Sequence, residues 1–273
     1  MTENTQKQGI IGQILSLPND NPTKTIIVAA LLCLVCSVLV STSAIALKSK
    51  QIVNKQADIK KNILAVTGML NAKTDIDKVF EQFEIQLVDL ETGAYATDID
   101  ATSYDQRKAA GDPAQSIKLT KEQDIANIGS RAKLAKVYIL KEDNAIKQVV
   151  LPIHGYGLWS TLYGFISFEN DFNTISGLRF YAHAETPGLG GEVDNPKWRQ
   201  LWQGKKAFDQ NGELKIKVIR GHVDYKMADA QHQVDGLSGA SLTSKGVSNL
   251  VNYWLGDNAF GPYLKKMRSE VGN

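Results

Sequence analysis

The sequence predicts an α+β protein: a single N-terminal transmembrane helix followed by a largely antiparallel sheet domain with flanking helices. Three observations carry that expectation. Residues 26–47 form a run of 22 residues without a charge. Five segments between 135 and 220 are rich in Val, Ile, Leu, Phe and Tyr and are separated by Asp, Asn and Gly turns. Near the C-terminus, Val247, Leu250, Val251, Trp254 and Leu255 recur at the spacing of one helical face. With 273 residues, 43% of them hydrophobic and 22% charged, the chain is long enough to bury a core and has the composition of a folded protein.

The apolar run lies between Lys24 and the pair Lys48 and Lys50. As a helix it would extend roughly 33 Å, enough to cross a hydrocarbon layer of about 30 Å. Ala44-Ile45-Ala46 also supplies the small-x-small site of a cleavable signal peptide. The run is longer than the usual apolar region of such peptides, about 7 to 15 residues, so a retained anchor is expected, preceded by a short segment, 1–25. Lys48, Lys50, Lys55, Lys60 and Lys61 follow the run, against only Lys7 and Lys24 before it. By itself the positive-inside rule would therefore leave the C-terminal domain in the cytoplasm. Cys33 and Cys36 are the only cysteines. They read as small packing residues within the anchor, and the rest of the chain has neither a disulfide framework nor a thiolate metal site.

Beyond the anchor, Ile52, Ile59, Ile63, Val66 and Leu70 predict an amphipathic stalk helix over 51–70, and 75–83 reads as a second short helix. Residues 84–130 carry little periodicity, with a turn at Glu91-Thr92-Gly93 and punctuation at Gly111-Asp112-Pro113. Strands are expected at 135–140, 145–152, 162–168, 175–182 and 214–220. Pro196 opens a short helix over 196–202, and the last helix stops around Gly256. The divisions that follow are 26–47 (anchor), 48–135 (stalk and first part of the soluble domain), 136–256 (the main domain) and 257–273 (a tail). With 31 basic and 29 acidic residues and no basic stripe, nucleic acid is excluded as a partner.

Chemistry concentrates at Asp235-Gly236-Leu237-Ser238-Gly239-Ala240-Ser241-Leu242-Thr243-Ser244, just before the last helix. Gly236, Gly239 and Ala240 let a ligand approach the backbone, and Ser238, Ser241, Thr243 and Ser244 offer hydroxyls. The helix N-terminus adds unpaired amides suited to an anion. The same residues also suit a plain N-cap by Thr243 or Ser244 after a turn of small residues. A third reading takes Gly236-Leu237-Ser238-Gly239-Ala240 as a hydrolase nucleophile elbow, with His154, His183, His222 or His232 as base. It lacks the final glycine and the apolar strand that such an elbow follows.

Ser238-Gly239-Ala240-Ser241-Leu242-Thr243, with Asp235 upstream, resembles the flavinylation motif S/T-G-A-T/S-x-T of the FMN-binding domain family. His183-Ala184-Glu185-Thr186-Pro187-Gly188-Leu189-Gly190-Gly191 is similar to that family's E-T-P-G-L-G signature, and Gly157-Leu158-Trp159 with Tyr163-Gly164 to a third segment. The resemblance implies FMN joined through its phosphate to Thr243 by a flavin transferase, with Ser241 the neighbouring hydroxyl. Asp235, Ser238, Gly239, Ala240, Ser241 and Leu242 would surround the attachment, and Gly188 and Gly190 would shape the facing turn. Leu189 and Trp159 would pack near the ring, and Glu185 and Thr186 would give polar support.

Within the family, the long stretch 52–130 between anchor and domain is similar to the C subunits of sodium-translocating NADH:quinone reductases. The G subunits of Rnf electron-transport complexes share the motif and are usually shorter there. The resemblance implies a one-electron carrier in a bacterial inner-membrane complex, between an iron–sulfur centre and a flavin of a partner subunit, with its domain on the periplasmic side. Gly155-Tyr156-Gly157 is followed by Ser160 where a dinucleotide fingerprint needs glycine, in keeping with a protein that does not itself bind NADH. A membrane-tethered binding or assembly module without flavin is the alternative of another class.

Overall fold

The computed structural model describes residues 18–271, and the chain divides into two compact units, Met1–Gln56 and Ala57–Asn273. Lys7 and most of the expected segment 1–25 lie outside the described residues. Helix α1, Pro22–Val66, is continuous for 45 residues. It starts where the sequence provides a start. The Asn21 carboxamide oxygen accepts the backbone N–H of Thr23 at 2.8 Å, and Pro22 takes the first helical position, where a missing N–H costs nothing. Its apolar window has a mean hydropathy of 2.6 and none of it is buried within the protein, as a lipid-facing span requires. Cys33 and Cys36 are free and exposed on this helix, and no group of metal-ligating residues occurs among the described residues. Anchor and stalk are thus one helix, ending at Val66 rather than Leu70. Gly68, at φ 76°, stops it: the Met69 N–H reaches back to the Leu64 carbonyl at 2.9 Å, and the Gly68 N–H to Ala65, a Schellman closure.

The second unit is built on a six-stranded antiparallel sheet. Its strands are β1 (Phe83–Asp89), β2 (Tyr95–Ala96), β5 (Leu134–Glu142), β6 (Ala145–Tyr156), β7 (Thr161–Glu169) and β8 (Ile175–Ala182), in the order β2-β1-β5-β6-β7-β8. Asp143 and Asn144, both at positive φ, make the tight turn between β5 and β6. Short strands β3 (Ser116–Lys118) and β4 (Ser130–Ala132) pair separately. Helices α2 (Ile76–Phe80), α3 (Gln106–Gly111), α4 (Pro196–Gln200), α5 (Ser241–Leu255) and α6 (Gly261–Val271) surround the sheet.

The core strands carry apolar runs because both faces of the sheet are covered. Val137, Ile139, Val149, Leu151, Ile153 and Ile166 join Val247, Leu250, Val251 and Trp254 of α5 in one cluster. Tyr138, Leu140, Val150 and Phe165, at intervening positions, join Ile63, Leu64 and Val66 of α1 in the other. Strand periodicity sends alternate residues to opposite sides, and here each side meets a helix.

Three expectations need correction. The strand over 214–220 shrinks to β9 (Lys217–Val218), which pairs in parallel with β10 (Gln233–Val234) outside the main sheet. The segment expected as a tail contains α6, whose Tyr263 and Leu264 are fully buried in the main core. Its many polar residues obscure a short apolar face. Finally β1, from the stretch without periodicity, pairs with β5 over seven residues, so one sheet draws on both sides of the division at 135/136.

A pH dependence follows from the packing at the end of β6. The His154 ring stacks on Tyr163, centroids 5.4 Å apart, and lies 4.9 Å from Trp254. Burial, aided by the nearby Arg107 charge, pushes this imidazole down to about 4. The unfolded chain takes up that proton near pH ~6.5. Between these values the unfolded state therefore binds more protons, and stability falls as pH drops from about 6.5 toward 4. Thermal melts followed by circular dichroism at pH 7 and 4.5 should show a smaller acid-induced loss for His154→Phe than for wild type.

Candidate functional site

The turn 235–240 is fixed from several directions before α5 begins. The Asp235 carboxylate accepts the Val223 N–H at 2.9 Å and pairs with His222 Nδ1 at 2.7 Å, while its carbonyl accepts the Trp198 indole N–H at 2.9 Å. From the first turn of α5, the Ser244 hydroxyl oxygen reaches back to accept the Leu237 N–H at 2.9 Å. Ala240 holds the N-cap position, and no side chain caps the helix. The capping role open to Thr243 or Ser244 is therefore not taken up. Their hydroxyls are engaged elsewhere, and the first-turn amides of a 15-residue helix have no side-chain acceptor. Around them Ser238, Gly239, Ser241 and Leu242 reach the surface.

Thr243 is 0% exposed, and its hydroxyl donates to Glu185 Oε2 at 2.7 Å. Glu185, itself 5% exposed, accepts on its other oxygen the backbone N–H groups of Leu158, Trp159 and Ser160 at 3.1, 3.0 and 3.2 Å. These amides converge because residues 157–160 form a tight turn, closed by the Gly157 N–H on the Ser160 carbonyl at 2.8 Å. Burial alone would raise the Glu185 pKa. The Trp159 amide, the Thr243 hydroxyl and the other two amides outweigh it and hold the carboxyl below its ordinary value, so the group is ionised at neutral pH.

The segment after Glu185 closes over this pair. Thr186, Pro187, Gly188 and Leu189 make a turn in which the Leu189 N–H bonds the Thr186 carbonyl at 3.1 Å. Proline occupies its second position and Gly188, at φ 76°, its third, as a type II turn requires. At Gly190 a side chain has no room: a Cβ there would stand 2.5 Å from Thr243 Oγ1 and 2.7 Å from Glu185 Oε2. Leu189 lies over Gly239, with its Cδ2 3.0 Å from where a Cβ of that glycine would be. Three sequence segments far apart in the chain thus meet at one buried hydroxyl. The large apolar side chains Trp159 (66% exposed), Leu242 (60%) and Leu189 (45%) are left facing solvent.

Of the expected site residues, Glu185, Gly190 and Thr243 come into direct contact. Trp159 joins through its backbone amide, and Thr186 shapes the covering turn. Asp235 has its carboxylate committed to Val223 and His222, so it secures the turn. The amides of Leu158 and Ser160 are additions that sequence reasoning misses, because a backbone N–H has no sequence signature. The hydrolase reading finds no support: His183 pairs with Asp194, His222 with Asp235, His232 with the Lys206 carbonyl, and His154 packs against two aromatic rings. None of these histidines is hydrogen-bonded to Ser238.

The family model of the FMN-binding domain matches residues 157–256, the segment that ends in this glycine-rich turn and helix, and a helix long and apolar enough to cross a membrane precedes it, so the class is that of a membrane-anchored FMN-binding protein. Over 251 residues, the chain is 49% identical to the NqrC subunit of the Na(+)-translocating NADH-quinone reductase of Vibrio anguillarum, covering 92% of this chain and 96% of that protein. The corresponding subunit from Pseudomonas aeruginosa is 45% identical, covering 91% and 97%. The crystal structure of Shewanella oneidensis NqrC superposes with a TM-score of 0.73 at 33% identity, covering 80% of this chain and 99% of that one. The chain belongs to the NqrC family of Na(+)-translocating NADH-quinone reductase subunits.

Proposed function

We propose that FMN is attached covalently through its phosphate to Thr243 Oγ1, and that the chain works in the reductase as a one-electron relay between an iron–sulfur centre and a flavin of a partner membrane subunit. The observation that carries this reading is the N-terminus of α5, left without a side-chain cap and with Thr243 in its first turn. A phosphodiester keeps one negative charge. First-turn amides and the helix dipole stabilise such a charge by about 0.3–1 kcal/mol at an exposed site. Ser238, Gly239, Ala240 and Ser241 bring only small groups to that position, so the backbone can approach the phosphate. Trp159, Leu189 and Leu242 offer apolar surface against which a tricyclic ring packs, and Gly188 sets the turn that carries Leu189.

When bound, FMN supplies the one-electron chemistry, and the protein's part is to hold it, orient it and exclude side reactions. Neither NADH nor quinone is assigned to this chain, which has no intact G-x-G-x-x-G. The domain is placed on the periplasmic side of a bacterial inner membrane. A covalent tether suits a compartment that free FMN does not resupply, and long domains translocate largely regardless of flanking lysines.

The test is expression with and without a flavin transferase in an exporting host, followed by flavin fluorescence on a denaturing gel. Wild type and Ser241→Ala are expected to fluoresce only when the transferase is present. A colourless wild-type chain alongside a competent transferase would leave the membrane-tethered assembly module as the better reading.

A further inference from the structure

We infer that Glu185 and the turn 186–191 form a latch over the Thr243 hydroxyl, so that flavin transfer takes place on a locally opened domain. The inference rests on Thr243 being the acceptor and adds how that acceptor is reached. A hydroxyl that attacks phosphorus needs the donor phosphate about 3–3.5 Å away and in line with the leaving group. Thr243 has no exposed surface. Glu185 Oε2 occupies the hydrogen-bonding direction of its hydroxyl at 2.7 Å, and the Gly190 backbone leaves no space for even a Cβ beside Oγ1. Leu189, set on Gly239, holds the turn down.

The chemistry of transfer makes the opening one-way. FMN's own phosphate has no good leaving group, so the donor must carry FMN as an activated diphosphate, as a flavin dinucleotide does. The Thr243 Oγ1–P bond forms, the P–O bond to the adenylate breaks, AMP departs, and the hydroxyl proton passes to the buffer. The product oxygen has lost the hydrogen it donated to Glu185, and a phosphodiester anion now adjoins an ionised carboxylate. The Glu185–Thr243 bond cannot re-form. Glu185 keeps its three amides on Oε1, which hold it in place without the threonine.

The experiment uses the full chain made without transferase, folded in detergent and checked by circular dichroism. Purified transferase and flavin dinucleotide are then added, and covalent fluorescence is followed over time. Glu185→Ala, which removes the acceptor of a charge-assisted hydrogen bond, should be modified about tenfold faster than wild type or more. Leu189→Ala alters a side chain that is 45% exposed and should be several-fold faster, so it carries the test if Glu185→Ala does not fold. Folded variants modified at the wild-type rate or more slowly would overturn the latch. Thr243→Val is the control for the underlying reading: labelling of that variant would refute the attachment residue itself, whatever the rates of the other two.

Discussion

A folded Thr243→Val chain, supplied with a competent flavin transferase, should carry no covalent flavin, and its denaturing gel should be dark where wild type fluoresces. The substitution replaces one hydroxyl by a methyl group of similar size at a fully buried position, so the change is chemical rather than steric. Without an oxygen there is no nucleophile, and the loss is complete rather than graded. The fold is affected less: Glu185 loses the donor to Oε2 but keeps its three backbone amides on Oε1, and a hydrogen bond to a charged group is worth roughly 1.5–3 kcal/mol. Thr243→Ser keeps both the nucleophile and a donor for Glu185 and should retain fluorescence. A well-folded valine variant that still fluoresced would move the attachment to another hydroxyl, Ser241 being the nearest candidate in the motif.

The second large effect is on stability. Trp254 is fully buried at the C-terminal end of α5, its indole N–H donates to the His154 carbonyl at 2.6 Å, and its ring lies 5.6 Å from Phe260. Truncating such a side chain to alanine costs about 3–5 kcal/mol, from lost burial and from the cavity left behind. For a domain of this size, each kcal/mol lowers the midpoint by roughly 2–4 °C, so Trp254→Ala should melt about 6–20 °C lower by circular dichroism. Trp254→Phe keeps most of the apolar contact and loses the hydrogen bond, and should fall in between. A midpoint for Trp254→Ala within a degree or two of wild type would mean that α5 is not held by this contact. Because α5 also presents Thr243, the alanine variant should in addition expose that residue more readily to modification.

The sheet is legible where strands are long and apolar on both faces. Residues 175–182 and 145–152 can be read directly, because Ile, Leu, Phe and Tyr in the first and Ile, Val and Leu in the second follow the turn signals Asp171-Phe172-Asn173 and Asp143-Asn144. β1 escapes because Glu84, Gln86 and Asp89 interrupt its apolar residues, and its place comes from seven long-range pairings with β5. α6 escapes for a similar reason: Lys265, Lys266, Arg268 and Glu270 outnumber the buried Tyr263, Leu264 and Met267, and only the core beneath selects that face. The strand expected over 214–220 has the right composition but no neighbour in the main sheet, and β-propensity without a partner yields little structure.

The site divides in the same way. The amino-acid sequence by itself determined the membrane helix, the Gly/Ser turn before α5 and the family resemblance carried by three short motifs, since each rests on residues adjacent in the chain. Local chemistry of that kind, such as the length of an apolar run, the φ freedom of glycine or an unpaired helix end, acts over a few residues and survives without knowledge of the fold. Only the tertiary structure decided that Thr243 is buried, that Glu185 is its partner 58 residues away, and that three amides from the turn after β6 hold that carboxylate ionised. Those relations depend on where β6, the 186–191 turn and α5 meet. That meeting is set by the packing of α5 on the sheet, a sum of many non-directional contacts that no short segment encodes.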